Sequence, residues 1–182
     1  MKPVFLEGEN IFLSYLSPDD NFENYIKWVN DQDTTTYMGV GKFPSTEENL
    51  KEYVNSYNRS NVGILFGIFL KESSAHIGNI TLHQIDYCNR FGEIGIMIGD
   101  KNSRGKGYAT QAIRLVVEHG FFRVNLRKLC AGVVKENEGS KKAFEKVGFK
   151  VEGILREHFY LNGKYLDCYR LGLLRNEYKK ND

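Results

Sequence analysis

The chain lacks any apolar stretch long enough to cross a lipid bilayer. Its most apolar run, VGILFGIFL from Val62, has nine residues, whereas a membrane-spanning helix needs about 20. The first ten residues, MKPVFLEGEN, carry an acidic residue early and no long apolar stretch, so we expect no secretory signal peptide. We therefore expect a soluble protein with no membrane partner, in which the Val62 run forms a buried strand.

Cysteine is scarce. The three cysteines, Cys88, Cys130 and Cys168, are odd in number and widely spaced, so they indicate neither a disulfide framework nor a metal cluster. The four histidines include no pair at metal-ligand spacing, and we expect no metal. Free thiols suit a reducing compartment, so a cytoplasmic location is expected.

An excess of one charge is also lacking. The sequence has 25 lysines and arginines against 23 aspartates and glutamates, for a net charge of +2. No nucleic-acid partner is expected from this balance. The 182 residues contain no internal repeat, low-complexity tract or linker. We expect a single domain over residues 1–182.

The first third of the sequence is aromatic and has helical patterning. Asp19 or Asp20 is expected to cap a helix that runs through Trp28. A second helix is expected to begin at a capping box formed by Ser45 and Glu48. The apolar positions that follow fall on one helical face, namely Leu50, Tyr53, Val54 and Tyr57.

The remainder alternates between strand and helix signals. VGILFGIFL, HIGNITLHQI and FGEIGIMIGD indicate three antiparallel strands, and helical spacing predicts a helix from about Gly107 to Phe122. The strand KLCAGVV and a short helix ending near Gly148 follow. Asn162-Gly163 predicts the turn of a closing hairpin. This order indicates a mixed α/β domain around one sheet.

A basic glycine loop, NSRGKG at residues 102–107, joins the third of these strands to the long helix. The start of a helix attracts anions, and glycines let backbone amides approach a phosphate closely. The loop is not a Walker A motif, because Tyr108 follows the second glycine; it is not the dinucleotide fingerprint either, because Thr110 stands at the third glycine. A phosphate-bearing ligand is the functional hypothesis, and a tight turn with solvated basic residues is the alternative.

Three ordered segments together resemble the GNAT superfamily of N-acetyltransferases, in the branch with ribosomal-protein-alanine and spermidine acetyltransferases. NSRGKG is similar to the family signature Q/R-x-x-G-x-G/A, with asparagine at the first place. VVKENEGSKKAFEKVGFKVEGILRE resembles the family's N-x-x-S/A…G-F segment, and NGKYLDCYRLGLLRNEY resembles the end of this branch. The resemblance runs from about Ile11 to Tyr178. It implies an α/β (α+β) fold with a mixed, mostly antiparallel sheet, a splayed fourth strand, flanking helices and a C-terminal hairpin.

The resemblance also implies acetyl-CoA as the acetyl donor. Loop amides would hold its diphosphate, and the backbone of the fourth strand would pair with pantetheine. Asn137 matches a position that contacts the pantetheine arm, and a helix N-cap is its alternative role. The implied cofactor-binding residues are Ile96, Met97, Ile98, Arg104, Gly105, Lys106, Gly107, Tyr108, Ala109 and Asn137.

Acetyl transfer to an amine needs a neutral amine, fixed donors for the developing oxyanion and stabilisation of the leaving thiolate. Glu93 is the expected base, directly or through water; a solvent-facing or merely orienting carboxylate is the alternative. Many family members carry a proton-donating tyrosine where this chain has Phe144, which cannot donate. Ser140 is therefore the second expected catalytic residue, with water, or a helical or cofactor-contacting role for Ser140, as alternatives.

The acceptor is expected between the first two helices and the last hairpin. Trp28, Tyr37, His83 and Tyr160 are the expected substrate-binding residues, with core packing as the alternative for the aromatic ones. A small amine, an amino sugar or a protein N-terminus fits as acceptor, and a homodimer is considered. The rival functions are a non-catalytic acetyl-CoA-binding or sensing module and a nucleotide-binding regulatory protein.

Overall fold

One eight-stranded sheet with helices on both faces organises the chain. The computed structural model describes residues 2–59 and 63–180. The strands are β1 (Leu6–Glu7), β2 (Ile11–Tyr15), β3 (Ile64–Leu70), β4 (His76–Asp86), β5 (Phe91–Ile98), β6 (Lys128–Val134), β7 (Lys150–Leu161) and β8 (Lys164–Leu174). The helices are α1 (Glu23–Val29), α2 (Gln32–Thr35), α3 (Glu47–Asn58), α4 (Tyr108–Phe122) and α5 (Glu138–Glu145).

The sheet parts between two neighbouring strands. Its order is β1-β2-β3-β4-β5-β6-β8-β7, and every pairing is antiparallel except that of β5 with β6. That parallel pairing covers three residue pairs, from Phe91 with Lys128 to Glu93 with Cys130. Beyond Glu93 the two strands diverge. The predicted fold class is confirmed, and β5 is the predicted splayed fourth strand when the two-residue β1 is left uncounted.

The N-terminal region differs from the expectation of an all-helical first third. Strands β1 and β2 precede the helices, and four of the five residues of β2 are buried, so its sequence IFLSY shows no alternation to reveal a strand. Helix α1 begins at Glu23 after Phe22, with no side-chain cap, so neither Asp19 nor Asp20 caps it. The capping box of α3 is formed by Thr46 and Asn49 rather than by Ser45 and Glu48.

The later elements follow their predictions closely. Helix α4 begins one residue after Gly107, and Gly148, which follows α5, has a left-handed φ of 110°. Asn162 and Gly163, with φ of 47° and 82°, form the two-residue turn between β7 and β8. Val62, the first residue of the predicted strand VGILFGIFL, lies outside the described residues.

Two apolar cores lie on opposite faces of the sheet. One packs α4 and α5 against the sheet and includes Ile94 and Phe121. The other packs α1 and α3 against the opposite face and includes Val54 and Met97. Ile94 and Met97, which are an odd number of positions apart on β5, thus reach different cores, as pleating requires. Within residues 2–59 and 63–180, no helix is long and apolar enough to span a membrane.

The two adjacent phenylalanines at the end of α4 provide a stability test. Phe121 is 0% exposed, whereas Phe122 is 51% exposed. We expect Phe121→Ala to lower the free energy of unfolding by about 3–5 kcal/mol, because it leaves a cavity in the core. Phe122→Ala should cost under about 1 kcal/mol. Urea denaturation of both variants measures the difference, and equal losses would contradict the assignment of the core.

Candidate active site

A groove opens where β5 leaves β6. It has a volume of about 450 Å³ and runs between the loop before α4, the start of α5 and the chain around α2. Its walls include Asp33, Thr34, Tyr37, Met38, Ile96, Met97, Ile98, Ser103, Arg104, Gly105, Gly107, Tyr108, Ala109, Thr110, Asn137, Gly139, Ser140, Lys142, Ala143 and Lys146. Nine of the ten residues predicted to bind the cofactor are therefore brought together here.

The glycine loop presents free backbone amides to this groove. Asp100 caps a 3-10 turn over Lys101–Ser103, and Gly105 and Gly107 follow with left-handed φ of 75° and 83°. Gly107 is the N-cap of α4 and supplies no side-chain acceptor to the first turn. The unpaired N–H groups and the positive end of the helix dipole therefore favour an anion.

The basic side chains near the loop do not all face the groove. Arg104 donates to the Ile98 carbonyl at 3.1 Å and to the Thr34 hydroxyl at 2.9 Å. Lys106 is exposed and is absent from the described groove wall. Instead Lys142 and Lys146, four residues apart on and just after α5, line the groove. Sequence reasoning missed this pair, although their helical spacing was the available signal.

The short helix α2 is tied to the loop and completes the groove. Lys101 forms ion pairs with Asp31 at 3.0 Å and Asp33 at 3.3 Å. Asp31 also accepts from the backbone of Thr34 and caps α2. Together with the Arg104 contact to Thr34, these bonds hold the segment that carries Tyr37 and Met38 against the groove.

Peptide groups at the edge of β5 face the groove, and the Ile98 carbonyl among them already accepts from Arg104. The Gly99 N–H donates to the Ile77 carbonyl at 2.9 Å across the ladder with β4. Since antiparallel residues alternate between facing their partner and facing away, the peptide groups of Ile96 and Ile98 face the gap beside β6. The Met97 peptide faces β4 instead. Other atoms of Met97 line the groove.

Asn137 and Ser140 lie at the other side of the groove, at the start of α5. The Asn137 side chain accepts from the Ser140 backbone N–H at 3.1 Å, so Asn137 is the helix cap as well as a groove residue. Phe144 is buried and packs edge-on against Phe149, with ring centroids 5.0 Å apart. Phe144 therefore belongs to the core rather than to the described groove wall.

A second, apolar cavity lies on the α1 and α3 side of the sheet and meets the groove. Its volume is about 330 Å³. Its walls are Tyr25, Val29, Met38, Val40, Ser45, Asn49, Leu50, Tyr53, Leu65, Asn79, Thr81, Gly95, Ile96 and Met97. Met38, Ile96 and Met97 line both spaces. The two cavities thus meet at the parted end of β5.

Glu93 is held in a bidentate ion pair. Arg170 of β8 donates through Nη1 and Nη2 to both carboxylate oxygens of Glu93, with three contacts of 3.0 Å. This pairing raises the pKa of Arg170, chiefly through the hydrogen bond from its guanidinium. Gly132 of β6 lies beside both side chains. The carboxylate is therefore fixed in place next to the point where β6 diverges.

His83 lies across the ladder from Glu93 and behind the apolar cavity. The two residues are register partners on β4 and β5. The ring Nδ1 of His83 is 3.0 Å from the Thr81 hydroxyl, and Thr81 lines the cavity. Burial lowers the pKa of His83, while the charge of Glu93 opposes that shift. His83 is therefore a neutral imidazole at pH 7 with a route to the cavity through Thr81.

The other expected substrate residues are placed differently. Tyr37 lines the groove. Trp28 packs beside His76 and Gly99, where a Cβ on Gly99 would overlap the indole ring. Tyr160 packs edge-on against Tyr165 near the hairpin turn and is 53% exposed. The described walls of the two cavities therefore contain neither Trp28 nor Tyr160, which are occupied by core packing and by the hairpin.

Comparison with known families agrees with this geometry. Residues 10–150 match the model of the acetyltransferase (GNAT) domain. The chain belongs to the GNAT acetyltransferase family. This GNAT protein is an N-acetyltransferase, and the match covers strands β2 to β6, the glycine loop, α4 and α5.

Relatives of this GNAT protein include characterised and uncharacterised enzymes. The uncharacterized N-acetyltransferase p20 of Bacillus licheniformis is 31% identical over 84% of this chain and 86% of its own. The spermidine N(1)-acetyltransferase of Vibrio cholerae is 30% identical over 82% and 84%. A crystal structure of spermidine N-acetyltransferase from Vibrio cholerae, in complex with CoA and spermine, has a TM-score of 0.84 at 27% identity, covering 93% of this chain and 98% of its own.

No metal centre is indicated in the part of the GNAT protein that the structure describes. In residues 2–59 and 63–180, no three histidine, cysteine, aspartate or glutamate side chains cluster as metal ligands would.

The Glu93–Arg170 pair yields a stability prediction. Side-chain exposure is 19% for Glu93 and 36% for Arg170, so Arg170→Leu leaves a carboxylate unpaired in a partly buried site. We expect a loss of about 1–3 kcal/mol in the free energy of unfolding. Glu93→Gln in the Arg170→Leu background should recover part of it. Arg170→Lys should retain only part of the stability of the native pair, because lysine cannot form the bidentate contact. Urea denaturation measures these free energies of unfolding. If the losses from Glu93→Gln and Arg170→Leu simply add in the double variant, the two residues are not coupled.

Proposed function

We propose that this GNAT protein transfers the acetyl group of acetyl-CoA to a primary amine by direct attack in a ternary complex. The observation that carries the proposal is the meeting of the groove and the apolar cavity at Met38, Ile96 and Met97. A thioester lying along the parted edge of β5 would end where an amine enters from the other side. Reacting groups held together in this way gain greatly in rate.

The chain's own groups fit such a donor. The amides of Gly105 through Ala109, at the positive end of α4, suit a diphosphate, and Lys142 and Lys146 add charge. The peptide groups of Ile96 and Ile98 suit the amides of a pantetheine arm. The donor supplies an activated acetyl thioester, and every other requirement falls to the protein.

We assign removal of the amine proton to Thr81 and His83. An amine with a lysine-like pKa near 10.4 costs about 4–5 kcal/mol to neutralise at pH 7, against about 1 kcal/mol for an α-amine. The Thr81 hydroxyl takes the proton from the ammonium and passes its own to His83 Nδ1, 3.0 Å away. Glu93, the base expected from the sequence, then stabilises the imidazolium by charge, since Arg170 already fixes its carboxylate.

Ser140 is the proposed proton donor or hydrogen-bonding partner for the leaving thiolate. It lines the groove at the first turn of α5, where its backbone N–H is already bound by Asn137. The hydroxyl is therefore directed by a capped, rigid turn. Phe144 does not compete for this role, because it is buried in the core.

Cys130 is the cysteine nearest the proposed reaction site, as the register partner of Glu93. Burial raises the pKa of Cys130, so the thiol stays protonated and is a poor nucleophile. This supports direct attack rather than an acetylated enzyme. A cytoplasmic location, a single domain over residues 1–182 and a homodimer stay predictions.

A non-catalytic acetyl-CoA-binding or sensing module is the alternative function, and the feature that supports it is Phe144, which cannot donate a proton. Since Phe144 packs against Phe149 away from the groove wall, its identity says nothing about chemistry in the groove. A thiol-release assay with a panel of amines separates the two functions. Acceptor-dependent release of CoA supports transfer, whereas acetyl-CoA binding without release would support the module. A nucleotide-binding regulator would bind ATP more tightly than CoA in calorimetry.

Two glycines with matched backbones test the groove. Gly107 and Gly163 have φ of 83° and 82°, and a Cβ at either meets none of the described atoms within 4 Å. Tryptophan at either position costs about 1–2 kcal/mol of backbone strain. We expect Gly107→Trp to abolish acetyl-CoA binding in calorimetry and Gly163→Trp to leave it intact. Normal binding by folded Gly107→Trp would remove the loop from the site.

The proposed proton route predicts a pH dependence. Below the pKa of His83, which burial places under the ordinary 6.5, the ring is charged and cannot accept a proton, so log(kcat/KM) falls toward acid. His83→Gln should lower kcat/KM about 100-fold and remove this acid limb, with acetyl-CoA affinity unchanged. The decrease in kcat/KM that comes from protonation of the amine substrate remains both in the unaltered protein and in His83→Gln. An identical acid limb in His83→Gln would exclude His83 as the proton acceptor.

A further inference from the structure

The apolar cavity carries no charge on its walls. Of the described residues that line it, none is acidic or basic. Its polar groups are the neutral side chains of Ser45, Asn49, Asn79, Thr81 and two tyrosines. Burial raises the pKa of Tyr25, so that hydroxyl stays neutral as well.

The acidic residues near this cavity are either exposed or paired. Glu48 and Glu52, which adjoin the lining residues Asn49 and Tyr53 in the sequence, are exposed and are absent from the described wall. Asp31 and Asp33 both bind Lys101, and Asp33 lines the groove rather than the apolar cavity. Glu93 is paired with Arg170. A second ammonium group that entered the cavity would therefore lose its hydration without gaining a carboxylate, which is strongly unfavourable.

The shape and lining favour an apolar body. Val29, Leu50, Leu65 and Met97 form much of the inner wall, and Tyr25 adds an aromatic face. A volume of about 330 Å³ lies at the lower end of the range of small-molecule pockets. The reacting amine need only reach the junction at Met38, beside Thr81.

We infer that the acceptor is a small primary amine on an uncharged apolar body, of the arylalkylamine or alkylamine class, and not a polyamine. This inference rests on the proposed function and deepens it. It separates this chain from the relatives named for spermidine, with which it shares the fold. The single positive charge of such an amine is removed at the reacting nitrogen, so the acceptor itself leaves no cation in the cavity.

Two amines of equal chain length test the inference. Hexylamine and 1,6-diaminohexane differ by one terminal ammonium group, and phenethylamine and spermidine extend the comparison. With the full chain and saturating acetyl-CoA, we expect kcat/KM to be at least ~10-fold higher for hexylamine than for the diamine. Phenethylamine should exceed spermidine by a similar factor. Equal or reversed preference would overturn the inference.

A charge placed at the cavity mouth provides a second test. Val40 lines the apolar cavity and is 37% exposed, so it tolerates a polar residue. Relative to Val40→Gln, which matches it in size, Val40→Glu should shift the kcat/KM ratio several-fold toward 1,6-diaminohexane. An unchanged ratio would show that the distal end of the acceptor does not lie in this cavity.

The failures of the two proposals are distinguishable. If calorimetry shows no acetyl-CoA binding and no amine is acetylated, the proposed function fails. If acetyl-CoA binds and spermidine is the preferred acceptor, the function stands and the inference fails. Acetylation of a peptide N-terminus but of neither hexylamine nor phenethylamine would likewise overturn the inference and leave the function in place.

Discussion

The divergence of β5 from β6 after Glu93 is the constraint on which both cavities depend. Three parallel residue pairs hold the strands together up to that point, and the Glu93–Arg170 ion pair fixes the place where they separate. Past it, the peptide groups of β5 have no strand partner on one side. Buried peptide groups need a hydrogen-bonding partner, so the opening leaves positions along β5 that water or a ligand can occupy.

The glycine loop and helix α2 make this opening a site. The left-handed glycines leave the first amides of α4 without side-chain caps, while Lys101 and Arg104 use their charge to fasten α2 to the loop. The loop therefore both lines the groove and holds α2 in place, and its sequence alone does not show which residues serve which role. Its backbone faces the groove, and part of its charge serves architecture.

Much of the fold could be predicted from the sequence because its signals are local. Three β-rich runs lie between Ile64 and Ile98, and each predicts its own strand. The apolar spacing in α4 predicts that helix, and Asn162-Gly163 predicts the turn that it forms. Strand β2 could not be predicted, since burial on both faces removes its alternation. In the site, the glycines were predictable, but the partnership of Glu93 with Arg170 spans 77 positions and follows only from strand order. The burial of Phe144 and the neutrality of the apolar cavity likewise depend on packing among several elements.

Met38 lies on the wall shared by the two spaces, which restricts how this scaffold can diversify. Under the proposed function, a substitution at Met38 would change both the surface that receives the thioester and the space offered to the acceptor, so a new acceptor preference arising there would lower the transfer rate. Val40 and Ser45 line the apolar cavity but are absent from the described wall of the groove. Under the proposed function, changes of acceptor preference that leave the groove unaltered would therefore arise in the loop before α3 rather than at Met38.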